Sequence, residues 1–145
     1  MLDQDGTLWC CVAPGRPGTW REVASVRSAG VLHLAETPVR VYDSRTTDGA
    51  PLADGQEKVI SLGSTVPASA QAATFTVTST GASGVGYLTL FPAGTAWPGV
   101  TSLSFSGPDV TGMVVSRLGV AGVTVRVVGE RVTSHVAVDL IGWYG

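Results

Sequence analysis

Three sets of residues in this chain have types and spacings that could do chemistry. Ser134, His135 and Asp139 supply a hydroxyl, an imidazole and a carboxylate, the side chains of a hydrolytic triad. No G-x-S-x-G elbow accompanies them. On a strand, His135 and Asp139 share a face but stand about 13 Å apart, too far for a direct bond. Asp3-Gln4-Asp5-Gly6 imitates the opening of a calcium loop, but Pro14 stands where the closing carboxylate belongs, so a turn is expected. His33 and His135 lack a second pair of ligands, and neither a metal nor a cofactor is implied.

Arg40, Asp43, Arg45 and Asp139 form the third set. Asp43 sits at the end of an apolar stretch and Asp139 inside the most apolar stretch of the chain. A carboxylate in such surroundings needs a partner, and a guanidinium supplies two parallel bonds. Arg40 or Arg45 is therefore expected to pair with Asp139 or Asp43 and lock the first strand of the body to the last. Removing Asp139 would then leave a buried guanidinium unpaired.

Aromatic side chains bound what the surface can bind. Trp9, Trp20, Trp97, Trp143 and Tyr144 are amphipathic rings in a chain that is only 14% charged. Such rings stack on sugars when exposed and fill interfaces when buried. Trp97, in a Gly-bounded loop, is the expected exposed ring. Trp143 and Tyr144 are expected to close the core or an interface.

The elements that must position these groups are strands. From Pro38 onward the apolar period is two: Val123, Val125 and Val127 share a face, as do Phe75 and Val77, Leu103 and Phe105, and Val136, Val138 and Leu140. Val85–Phe91 and Met113–Leu118 are apolar on both faces, as strands covered on two sides would be. Gly- and Pro-rich turns separate the runs. The expectation is an all-β antiparallel sandwich or jelly roll of about eight strands, residues 38–145. A single helical turn is expected at Val66–Ala73, where Pro67 suits its start. Residues 1–37 read as an arm, with Thr7–Val12 and Thr19–Val23 as a hairpin and VLHL as a loose edge strand.

Composition narrows the class. With nine basic and 11 acidic residues and a net charge of -2, the chain lacks the footprint of a nucleic-acid binder. No apolar run reaches the roughly 20 residues of a spanning helix, so membrane insertion is not expected. The N-terminus has no signal-peptide pattern, so the chain is a fragment or reaches its place by assembly rather than secretion. Adjacent Cys10 and Cys11 point to opposite strand faces and are expected to be reduced packing residues.

PVRVYDSR, PLADGQEKVISLG, VPASAQAATFTVTSTGASGVGYLTLFPAGTAWPG and the closing SHVAVDLIGWYG together resemble a module of actinobacterial cell-surface proteins and of tail or other virion proteins of their phages. The resemblance spans Pro38 to Tyr144. The chain departs from it at Trp97, where a basic residue is more usual, and at Leu103–Phe105, where Asn is usual. The resemblance implies a non-enzymatic β-domain on a virion or cell surface. Its partners would be copies of itself, a homotrimer being favoured, and other virion or surface proteins. The alternative is a module whose end loops engage a cell-wall or capsular glycan.

Overall fold

The computed structural model describes residues 1–4, 6–24 and 30–145. Two compact units emerge, Met1–Val31 and Leu32–Gly145. The first contains a hairpin of β1 (Leu8–Ala13) and β2 (Thr19–Ala24), paired antiparallel with Cys11 opposite Trp20. The second begins where β3 starts, as one continuous strand, upstream of the boundary expected at Pro38.

The larger unit is an all-β sandwich with nine strands: β3 (Leu32–Asp43), β4 (Leu52–Ala53), β5 (Glu57–Ser61), β6 (Ala72–Thr80), β7 (Val85–Pro92), β8 (Leu103–Ser106), β9 (Val110–Arg117), β10 (Gly122–Val128) and β11 (Thr133–Tyr144). One sheet runs β3-β11-β6-β9, with β4 added beside the start of β11; the other runs β5-β10-β7-β8. Every pairing is antiparallel.

Strand alternation builds the core. Phe75, Val77, Val136, Val138 and Leu140 of the first sheet and Leu88, Val123, Val125 and Val127 of the second are fully buried and form one cluster. Each such side chain contributes about 1.5–3 kcal/mol through removal from water. Trp143 packs on the edge of this cluster because a bulge between Leu140 and Gly142 turns it inward, opposite Ala73. The two turns on either side of β10 are close-packed. At Gly119 a Cβ would stand 1.9 Å from the carbonyl oxygen of Ala93, so only glycine fits.

Two expectations are corrected. Val66–Ala73 forms no helix; it is a turn closed by Ala70 N–H to Pro67 O at 3.0 Å, and β6 begins at Ala72. The helical turns lie at α1 (Ser44–Thr47) and a 3₁₀ turn at Gly63–Thr65. β9 is not covered on both faces, since Met113 and Val115 remain 71% and 58% exposed on the outer one. The outer face of β7 is covered only in its second half, where the 93–102 loop folds back and Thr89 and Phe91 are buried, while Val85 at its start is 75% exposed.

Candidate functional site

The densest polar cluster lies where β3 runs into α1. Asp43 keeps an extended backbone (φ -149, ψ 112) and caps the short helix, its Oδ1 accepting from the backbone N of Arg45 at 3.0 Å. The same carboxylate accepts from Arg45 Nε at 2.9 Å and Nη2 at 2.7 Å, and from Arg40 Nη1 at 3.0 Å. Arg40 then spends its other face on Asp139, Nε to Oδ1 at 2.7 Å and Nη2 to Oδ2 at 2.9 Å. The order is Arg45–Asp43–Arg40–Asp139, two cations against two anions.

Register explains why Arg40 can reach. Tyr42 lies opposite Val138, but Arg40 lies opposite Asp139, so the ladder slips by one residue at Val41. Without the slip Arg40 would face Leu140. The bulge re-aims the guanidinium, as bulges do.

Asp43 is 7% exposed and Asp139 20%, whereas Arg40 and Arg45 are 48% and 49% exposed. The expectation of a buried guanidinium is therefore corrected: the carboxylates are sheltered, and the arginines cover them from the solvent side. The hydrogen-bonded Arg45 guanidinium, with Arg45 N–H and Arg40, holds the Asp43 carboxyl well below the usual carboxylate range against the opposing effect of burial. The Asp139 bond likewise raises Arg40 above the ordinary arginine value.

Ser44 and His135 lie beside this cluster. Ser44 Oγ is fully buried, accepts from Val136 N at 3.0 Å and meets His135 Nδ1 at 3.0 Å. Ser134 turns away from the His135 imidazole: its Oγ meets Ser79 Oγ at 2.7 Å inside the sandwich and donates to the His135 carbonyl oxygen at 2.9 Å. The serine that meets the imidazole is thus Ser44, 91 residues earlier, which no local spacing could indicate. With its hydroxyl buried and shared with the backbone, it ties α1 to β11 and offers no surface to a substrate.

Tyr42 and Lys58 converge on Asp48 at the end of α1. Tyr42 Oη donates to Asp48 Oδ2 at 2.6 Å, and Lys58 Nζ contacts Oδ1. Burial, then the Asp48 bond, raises the Tyr42 phenol; the Lys58 bond, then Tyr42, lowers Asp48. This links β5 of one sheet to the β3–α1 junction of the other. Tyr42 is one of the amphipathic rings of the sequence, but its link to Lys58 through Asp48 is not legible there, because the two come from strands in different sheets.

The aromatic residues separate. Trp97 is partly buried rather than presented as a platform: the Arg126 guanidinium lies 4.4 Å from its ring centroid, and Arg126 Nη1 continues to Glu57 at 2.8 Å. Trp143 stacks on His33 at 5.8 Å, and Tyr144 is partly buried opposite Ala72. In the hairpin, Trp9 donates to Asp3 Oδ2 at 2.7 Å and Trp20, 42% exposed, donates to Pro17 O at 3.2 Å. Cys10 and Cys11 are free thiols, and both are exposed, so they are not packing residues. Asp5 lies outside the described residues. Among the described residues, no three His, Cys, Asp or Glu side chains are grouped to hold a metal ion.

Compared with protein-family models, curated proteins and solved structures, the chain finds no match.

Proposed function

We propose that this chain is a non-catalytic structural module of a phage particle or of an actinobacterial surface protein, working through assembly with copies of itself and surface contact. The hairpin carries the reading. Leu8, Val12, Trp20 and Val23 are exposed on it, and none of its described residues belongs to the buried core. Two strands alone are marginal in water. Cover from a neighbouring chain would stabilise them, and closed cyclic symmetry, a trimer foremost, lets every copy both give and receive that cover.

The polar cluster supports the same reading. Its carboxylates are saturated by arginines and a backbone amide, and Ser44 is enclosed, so the groups best suited to chemistry are engaged in holding strands together. A glycan-binding role has less support, because Trp97, the ring it relies on, lies against Arg126. Light scattering on the full chain and on residues 32–145 tests the proposal. A trimer mass for the full chain and a monomer mass for the shorter one are expected. Monomers in both would reject assembly through the hairpin.

A further inference from the structure

We draw no further inference here: the strongest candidate, the exposed apolar surface of the β1–β2 hairpin with the free thiols of Cys10 and Cys11, carries nothing beyond the assembly already proposed, because nothing in the structure shows what covers it.

Discussion

Arg40 and Asp139, 99 residues apart in sequence, close a two-bond fork across the β3–β11 pair at 2.7 and 2.9 Å. Among the described residues, β3 is an edge strand that pairs with β11 alone. The fork fastens that edge, and the third guanidinium nitrogen extends the tie to Asp43 and so to α1. Edge strands need such devices, because one side of their ladder is open.

Asp43 and Asp139 should not be equal in weight. Asp139 accepts one fork from a half-exposed arginine, and solvent screening limits such a pair to about 1 kcal/mol. Asp43 caps α1 and receives two guanidinium groups while almost fully buried, so Asp43→Ala combines a lost cap with unpaired donors and should cost about 3 kcal/mol. Urea denaturation of Asp43→Ala and Asp139→Ala measures both. Equal losses, or a larger one for Asp139, would overturn this ranking.

The same carboxylates set an acid limit. Asp43, Asp48 and Asp109 all have lowered pKa values, caused chiefly by bonds to Arg45, Lys58 and Thr80 respectively. A folded-state value below the unfolded one, about 3.9 for Asp, contributes stability that is fully present above the unfolded value. That stability is lost as pH falls through the lower, folded-state values. Melting temperature should therefore change little through these groups between pH 7 and about 5 and fall below about pH 4. In Asp43→Asn the acid-side slope should flatten; an unchanged slope would remove Asp43 from the account.

Much of the architecture is legible in the sequence because a half-buried strand writes its burial with period two. Val123, Val125 and Val127, or Val136, Val138 and Leu140, could face inward only together. The slip at Val41 is different, since it breaks the period: Tyr42 is buried while Arg40, two residues earlier, is exposed, so an alternation that places one misplaces the other. Pairing types for Arg40, Asp43, Arg45 and Asp139 follow from charge and burial; their order does not. Ser44 with His135 and Tyr42 with Asp48 and Lys58 depend on where separate elements meet. The turn at Val66–Ala73 misleads because Pro67 and the alanines suit a helix start, yet the segment is too short to gain from that propensity against the pull of β6.

Ser44 gives a direct comparison of tie against titratable partner. Ser44→Ala removes the acceptor for the buried Val136 N–H as well as the contact with His135, and should cost about 2 kcal/mol. His135→Ala leaves the Ser44–Val136 bond in place and should cost less than about 1 kcal/mol. Thermal unfolding of the two variants decides the matter. A greater loss for His135→Ala would mean that the imidazole, not the hydroxyl, holds α1 against β11.

Trp97 is the residue on which packing and ligand contact make opposite predictions. As a cover, it shields Arg126 and the Thr89 region of β7, its Nε1 lying 3.5 Å from Thr89 Oγ1. Trp97→Ala should then lower stability by about 2 kcal/mol, less than the 3–5 of a fully buried ring because Trp97 is only partly enclosed. Arg126→Ala should couple to it by about 0.5–1 kcal/mol in a double-mutant cycle, the size of a part-exposed cation–π contact. Arg126→Lys should not restore the full coupling, since an ammonium cannot stack its plane on the indole. Zero coupling, with Trp97→Ala as stable as the parent, would show the ring free for another partner and favour the alternative, glycan-binding reading.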